Sequence, residues 1–293
     1  MSALLTEENL WFEAEDPVTS VAALRHLQER LARLPGQPTA AQELPLTAAG
    51  GRVLARDIRV KTAGEDRVLA AGTQLDWRLL PLLHGSGYGS VPVHAPARVG
   101  LLSMSEGEEK PPAQERERAT VLIQAALQKM GAVVFRGRSD DRPEQQMQAL
   151  RVFARSCELV LVQIDGEARP GYAPRVFEVE GCACMLLPTC PRAALSQLVA
   201  FVVPLIRHLQ GRRAALPPIR RAVDAGWPAI GREMSWVRAA GCGDASQLHA
   251  ADPAPGHAEL DLCAVDGIAW KAEDLAATDP RAVAYLAFED WLD

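Results

Sequence analysis

Side chains that can do chemistry stand at four points where a buried apolar strand is expected to end. Apolar runs at 99–102, 132–135, 159–163 and 183–187 are followed by stretches that hold hydroxyl, carboxylate, thiol and guanidinium groups. Apolar strands separated by helices predict a parallel sheet covered on both faces. In such sheets ligands bind beyond the carboxyl ends of the strands. These stretches are listed here by number: 103–106, 138–141, 164–166 and 188–192.

The last of these stretches leads into the most apolar part of the chain. The predicted strand breaks at Pro188, and Pro191 stands where a helix can begin, because its missing N–H is not needed there. Apolar residues then recur at helical spacing up to Gly211. A helix that follows a strand presents free backbone N–H groups and a positive dipole end, which can hold an anion.

Two pairs of candidate ligands have two interpretations each. Asp140 and Asp141 could coordinate a metal ion at a strand end, or they could cap the helix that is expected from Pro143. Cys182 and Cys184, with Cys190 nearby in sequence, could indicate a metal site. They lie in an apolar strand without a neighbouring histidine, which favours core packing.

Arginines also gather at the predicted strand ends and could bind an anion through their side chains. Scattered surface arginines explain the same pattern almost as well. The arginines concerned are Arg136, Arg138, Arg142, Arg169 and Arg192.

Composition excludes several classes of protein. The chain has 293 residues, 48% hydrophobic and 23% charged, with a net charge of −6, which argues against a general nucleic-acid surface. We expect no membrane-spanning run, and the acidic N-terminal residues are unlike a secretory signal. Six cysteines are too sparse for a disulfide-stapled scaffold. The sequence predicts a cytoplasmic protein with reduced thiols.

The pattern divides the chain into three predicted domains. Residues 1–70 form an N-terminal arm and a helical and extended segment, with a helix expected over 21–34 that Thr19 and Ser20 can cap. Residues 71–211 form the α/β domain. Residues 212–293 form a small, mostly β domain, with strands around the Asp-Gly pair at 266–267.

Five segments carry a resemblance to a known family, in the right order along the chain. Residues 46–57 read Leu-Thr-Ala-Ala-Gly-Gly-Arg-Val-Leu-Ala-Arg-Asp, 71–75 Ala-Gly-Thr-Gln-Leu, 91–94 Val-Pro-Val-His, 140–144 Asp-Asp-Arg-Pro-Glu and 187–195 Leu-Pro-Thr-Cys-Pro-Arg-Ala-Ala-Leu. The last is similar to the motif Leu-Pro-Gly-Asn-Pro-Val-Ser-Ala-Leu of the molybdopterin molybdotransferase family, which includes bacterial MoeA and the gephyrin E domain. The resemblance implies an α/β fold: a three-layer sandwich of the molybdopterin-binding, MoaB/Mog-like type.

The chain departs from the family at the residues of the chemistry. One loop's length joins Asp57 to Gly72, where the family carries an Asp-Asn-Ser-Ala-Met-Asp-Gly-Tyr motif and a further domain. The family's Ser-Gly-Gly-Val-Ser-Val-Gly-Asp loop becomes Ile-Asp-Gly-Glu-Ala-Arg-Pro-Gly at 164–171. Asp165 thus places a carboxylate where backbone N–H groups would approach a phosphate.

The resemblance still assigns a candidate site. It places catalytic carboxylates at Asp140 and Asp141, and no metal ligands are assigned. The candidate cofactor-binding residues are Ser103, Ser105, Glu106, Asp165, Gly166, Pro188, Thr189, Cys190, Pro191 and Arg192.

Three functions follow as hypotheses. The first is a truncated, divergent member of the family that acts in molybdenum cofactor biosynthesis and binds molybdopterin, the molybdenum cofactor or a client molybdoenzyme without inserting metal. The second is an active molybdotransferase that uses Asp140 and Asp141 with magnesium. The third is an interaction protein that keeps only the fold.

The oligomeric state is expected to be a homodimer. The resemblance implies an elongated dimer. In addition, Val21, Leu24, Leu27 and Leu31 form an apolar stripe that a small N-terminal segment cannot easily bury alone.

Overall fold

A computed structural model describes residues 10–12, 18–32, 34, 36–61, 66–104, 113–139, 142–164, 174–213, 216–226, 230–240, 247–251 and 264–292. The helices are α1 (Val21–Ala32), α2 (Leu79–Gly85), α3 (Ala113–Lys129), α4 (Pro143–Ala154), α5 (Pro191–Gln197), α6 (Val203–Leu209), α7 (Glu273–Ala276) and α8 (Phe288–Trp291). A 3₁₀ turn covers Leu46–Ala48, and a π-helical turn covers Leu198–Val202.

The strands lie in one large sheet, one barrel and two sheets of two strands each. They are β1 (Leu10–Phe12), β2 (Ala41–Pro45), β3 (Ile58–Lys61), β4 (Asp66–Leu69), β5 (Ser90–His94), β6 (Arg98–Met104), β7 (Val133–Ser139), β8 (Leu159–Ile164), β9 (Val176–Val179), β10 (Cys182–Pro188), β11 (Arg220–Asp224), β12 (Ser235–Ala240), β13 (Gln247–Ala250), β14 (Gly267–Trp270) and β15 (Ala282–Ala287).

The large sheet has the order β1-β9-β10-β8-β6-β7. Strands β10, β8, β6 and β7 are parallel to one another, which confirms the predicted alternation of strands and helices. The sequence did not predict β9, which pairs antiparallel with β10. The turn between them places Glu180 and Gly181 at positive φ, 49° and 80°, as a two-residue hairpin turn requires.

Each face of the parallel strands is covered by helices. Alternate residues, such as Leu101 and Leu161, join a buried cluster with α3 and the helical segment from α5 to α6. The other alternation, such as Leu102 and Val162, packs on the Leu150 side of α4. Burial on both faces explains why these strands are apolar at consecutive positions.

The helical segment 191–209 runs through the centre of the largest cluster. It is long and apolar enough to cross a membrane, contrary to our expectation from the sequence, but 83% of its most apolar window is buried inside the protein. Pro204 lacks an N–H, so the carbonyl of Ala200 loses its α-helical donor. The fully buried Gln28 of α1 supplies a replacement: its Nε2 donates to the Ala200 oxygen at 2.8 Å.

The N-terminus of helix α1 is stabilised by the preceding residue, Ser20, and by Asp274 from the C-terminal part of the chain. Ser20 Oγ accepts from the N–H of Ala23 at 3.0 Å, so Ser20 acts as the cap that the sequence predicted. A carboxylate oxygen of Asp274, in α7, accepts from the N–H of Val21 at 3.1 Å. A carboxylate at this end also complements the helix dipole.

The apolar stripe of α1 is buried within the same chain. Leu24, Leu27 and Leu31 are at most 7% exposed and belong to the cluster around segment 191–209. The stripe therefore gives no argument for a dimer, and the homodimer rests on the resemblance alone. The sequence argument failed because it did not see that the core helix covers α1.

A hairpin occupies the place where the resemblance puts a further domain. Strands β3 and β4 pair antiparallel between Ile58 and Leu69. They pack with β2, β5 and α2 in a separate cluster of buried residues. The members of this cluster run from residue 46 to residue 93, so it includes residues on both sides of the predicted domain boundary after residue 70. Helix α2 begins only at Leu79, and before it the N–H of Leu75 donates to the carbonyl of Arg52.

The C-terminal residues form a closed barrel of five strands, β11-β13-β12-β14-β15. Strand β14 begins at Gly267 itself, so the Asp-Gly pair does not turn between two strands as predicted; the residues expected to form the preceding strand at 259–263 lie outside the described residues. A Cβ at Gly267 would collide with the carbonyl oxygen of Leu286 on β15, so close strand approach explains the glycine. Trp236, Trp270 and Trp291 join the barrel to the main cluster.

Replacing Gln28 with Leu tests the link between α1 and the core helix. The variant Gln28→Leu keeps most of the side-chain volume but leaves the Ala200 carbonyl without its donor in the interior. We expect a loss of about 1–3 kcal/mol in the free energy of unfolding, measured by chemical denaturation. Gln128→Leu changes an exposed glutamine of α3 and serves as the matched control. Equal stability of the two variants would contradict this account.

Candidate functional site

The carboxyl ends of the parallel strands meet along one edge of the sheet, as predicted. The register places Ser103 beside Arg138 of β7 on one side and beside Gln163 of β8 on the other. Gln163 in turn is in register with Leu187 of β10. Residues in register share a face, so these four side chains point toward α3 and the core helix.

Gln163 connects this row to helix α3. Its Oε1 accepts from the hydroxyl of Ser103 at 3.1 Å and lies 2.7 Å from the hydroxyl oxygen of Thr120. The side chain of Gln163 is fully buried, and its Nε2 has no hydrogen-bond partner among the described residues. The sequence analysis missed Gln163, although an amide at the end of the apolar run 159–162 is a readable signal.

A cavity of about 280 Å³ lies between α3 and the ends of β6 and β7. Its described lining consists of Ser103, Arg116, Glu117, Arg136, Gly137 and Arg138. Three arginines against one glutamate give this lining a net formal charge of +2. Of the predicted arginines, Arg136 and Arg138 therefore share one cavity, and the structure adds Arg116 from α3.

The charges in the cavity are unequally compensated. Nη2 of Arg136 lies 2.7 Å from Oε1 of Glu117, with both side chains partly exposed. Arg138 forms no ion pair with another described residue. A guanidinium with free donors beside a hydroxyl is a suitable set for an anionic oxygen cluster such as a phosphate.

The turn at 188–192, which the sequence analysis also assigned to the site, lies on the other side of β8 from Ser103. Pro188 ends β10, Thr189 is buried, Cys190 is exposed, and Pro191 begins α5. Because β8 separates β6 from β10, this turn and Ser103 are two strands apart. None of the residues 188–192 belongs to the described lining of the cavity.

Arg192 faces the C-terminal barrel. Its guanidinium carbon lies 5.5 Å from the ring centroid of Trp236, a cation–π distance. This contact ties the start of the core helix to the barrel. Whether Arg192 also binds an anion stays a prediction.

The remaining predicted site residues lie outside the described residues: Ser105, Glu106, Asp140, Asp141, Asp165 and Gly166. Within the described ranges, no group of three or more His, Cys, Asp or Glu residues could hold a metal ion. Cys182 and Cys184 are buried in β10 and pack with other apolar side chains.

Solved structures resemble this fold over most of its length. A molybdenum cofactor biosynthesis protein from Pyrococcus furiosus superposes with a TM-score of 0.63 at 20% identity, covering 84% of this chain and 91% of its own. A molybdopterin biosynthesis MoeA protein from Pyrococcus horikoshii gives 0.60 at 14% identity, covering 92% and 99%. A second structure of a P. horikoshii MoeA protein gives 0.61 at 13% identity, covering 84% and 94%.

Comparison by sequence, unlike comparison by structure, finds no match. No profile of a protein family matches the chain, and no curated protein is similar enough in sequence to match it. The protein is thus a mixed α/β chain whose fold is that of the molybdopterin biosynthesis proteins. In particular it has the MoeA-like fold, as the order of its sequence motifs indicated.

Thiol labelling will separate the turn at Cys190 from the buried cysteines. Cys190 is exposed, whereas Cys157, Cys182 and Cys184 are buried. Burial raises the pKa of Cys157 to about 11, so little of the reactive thiolate forms near neutral pH. We expect iodoacetamide to label Cys190 in the native protein and the other three only after unfolding, as read by peptide mass spectrometry. Native labelling of Cys157 at the rate of Cys190 would refute this arrangement.

Proposed function

We propose that this protein binds a molybdopterin-type ligand, a pterin that carries a phosphate, and acts in molybdenum cofactor biosynthesis. The single observation that carries the proposal is the arginine-lined cavity at the carboxyl edge of a MoeA-like sheet. The names of the similar structures concern molybdenum cofactor and molybdopterin biosynthesis. Their low identity to this chain leaves the ligand itself as a proposal.

The residues present fit the phosphate end of such a ligand. Arg138 and Arg136 offer several N–H donors, and the Ser103 hydroxyl stands in the same row of the sheet. At about 280 Å³ the cavity is close to the lower limit of small-molecule sites, about 300 Å³. It therefore suits a phosphate with part of the adjoining group, and the rest of the pterin would lie along the edge toward residues 188–192.

Binding without full catalysis is the form of this function that we favour. In the place of the domain and motif of the resembling family, this chain has the β3–β4 hairpin. Asp165 stands where the family's loop has a glycine, and its charge opposes a phosphate there. The ligand would be molybdopterin or the finished cofactor, and the partner a client molybdoenzyme.

Two alternative functions are proposed second to this one. An active molybdotransferase would use Asp140 and Asp141, with magnesium offsetting the charge of phosphate and molybdate. An interaction protein that keeps only the fold would bind no pterin. The other finer expectations also stay proposals: the three-layer sandwich description, the boundaries after residues 70 and 211, the homodimer, the cytoplasmic location, and the absence of nucleic-acid and membrane partners.

Loss of Arg138 is expected to weaken ligand binding. We expect Arg138→Ala to raise the Kd for released molybdopterin by about tenfold or more, since a charge-assisted hydrogen bond contributes roughly 1.5–3 kcal/mol. Pterin fluorescence titration measures the change, and Arg67→Ala, on the exposed strand β4, is the control. The same titration on Arg192→Ala tests the turn at 188–192. If the protein binds no molybdopterin, or if Arg138→Ala matches Arg67→Ala, the binding function is refuted.

A complementation assay separates binding from catalysis. We expect that the protein, at native expression level, will not restore molybdoenzyme activity to a strain that lacks its own molybdotransferase. The reason is the missing Asp-Asn-Ser-Ala-Met-Asp-Gly-Tyr segment and its domain. Full rescue would reject the non-catalytic proposal and favour the active molybdotransferase.

A further inference from the structure

Strand β7 is the last strand of the large sheet. It pairs with β6 along its inner side, and no strand of the described residues pairs with its outer side. Helix α3 contacts it from one face, through Glu117 at Arg136, and helix α4 from the other, through Phe153 at Gly137. A seven-residue parallel strand at the edge of a sheet presents unpaired backbone groups to which another strand can bind.

The backbone direction shows which residues offer these groups. The N–H of Val133 donates to the carbonyl of Ala97, at the β6 side, at 2.8 Å. Backbone groups alternate along a strand, so the N–H and C=O of Val134, Arg136 and Arg138 point outward. These three residues form the open main-chain edge.

The two faces beside this edge differ in chemistry. On the α3 face lie the side chains of Arg136 and Arg138, and Glu117 pairs with Arg136 only. The opposite face turns toward α4, because a Cβ at Gly137 would meet the ring of Phe153 there. On that face Phe135 is 45% exposed.

The exposed apolar residues concentrate here. Among the described large apolar side chains, six are conspicuously exposed. Val133 at 41% and Phe135 at 45% lie on the α4 face of β7, and Val152 at 57% lies on α4 itself. Apolar side chains grouped beside an open strand mark an interaction surface rather than scattered exposure.

We propose that the outer edge of β7 binds an extended segment of a partner protein in which acidic and apolar residues alternate. The segment adds a strand to the sheet. Its acidic side chains lie on the α3 face against Arg136 and Arg138, and its apolar side chains lie on the α4 face against Phe135. Successive side chains of a strand point to opposite faces, so a segment in which acidic and apolar residues alternate presents acidic groups on one face and apolar groups on the other.

Charge decides between this occupant and a second copy of the chain. Two β7 strands paired with each other would bring arginines of like charge onto the same face, which is destabilising. An acidic segment is instead attracted to the same arginines. The acidic side chains proposed here and the phosphate proposed for the cavity would contact the same Arg136 and Arg138, whereas Val134 and Phe135 lie outside the cavity lining and test strand addition by themselves.

The test uses the full chain and a fluorescein-labelled peptide of alternating Glu and Val, with a Lys-Val peptide of equal length as the charge control. Val134→Pro removes an N–H that points away from the sheet, so it blocks strand addition without removing a ladder bond. Val134→Ala controls for the lost side chain. Phe135→Glu repels the acidic peptide, and Val68→Glu makes the same change at an exposed valine of β4.

We expect fluorescence anisotropy to show binding of the Glu-Val peptide and about tenfold weaker binding for Val134→Pro and Phe135→Glu. Val134→Ala and Val68→Glu should stay within about twofold of the native protein. Absence of peptide binding, equal binding of the Lys-Val peptide, or no effect of Val134→Pro at unchanged circular dichroism would overturn the proposal. Sedimentation showing a native dimer that Val134→Pro dissociates, with no peptide bound, would replace it by self-association. Pterin titration of Val134→Pro reports separately on the cavity.

Discussion

The fold depends on burying segment 191–209 from every side. An apolar helix of this length has no face for solvent, so the sheet, α1, α3 and the barrel must all pack around it. Its proline at 204 costs one backbone hydrogen bond in an interior where an unpaired carbonyl is expensive. Gln28 supplies that bond, and therefore a polar residue of the N-terminal helix is as necessary to the core as its leucines.

This arrangement also fixes the edge of the sheet that holds the candidate site. The strands that pack on the core helix are parallel, so their carboxyl ends, and the polar residues that follow them, must lie together. Gln163 then joins Ser103 to Thr120 of α3 and holds the helix at the distance that leaves a cavity beside it. The barrel contributes at the other end of the edge, where Trp236 covers Arg192.

The sequence predicted those features that depend on local pattern. The apolar runs, the Pro191 helix start and the Ser20 cap are all encoded within a few residues, and the structure has them. It did not predict features that depend on tertiary contacts. Strand β9 is short and exists because β10 pairs with it, Arg116 enters the cavity only through the packing of α3, and the stripe of α1 was misjudged because its cover is distant in sequence. Half of the candidate site, including Asp140 and Asp165, lies outside the described residues, so the resemblance remains its only support.

The kind of donor at an anion site limits what the site can do. Backbone N–H groups in a glycine-rich loop are fixed in direction before the ligand arrives, and such preorganisation is what stabilises charge that develops in a transition state. Arginine side chains can hold a phosphate with comparable affinity, but they must be ordered on binding, and here one of them is already paired with Glu117. A site that exchanges the first kind of donor for the second keeps ground-state binding more readily than catalysis. For this reason the departure of residues 164–171 from the glycine loop of the resembling family and the presence of the arginine cavity agree with each other, and both support the proposed binding function over the proposed catalytic one.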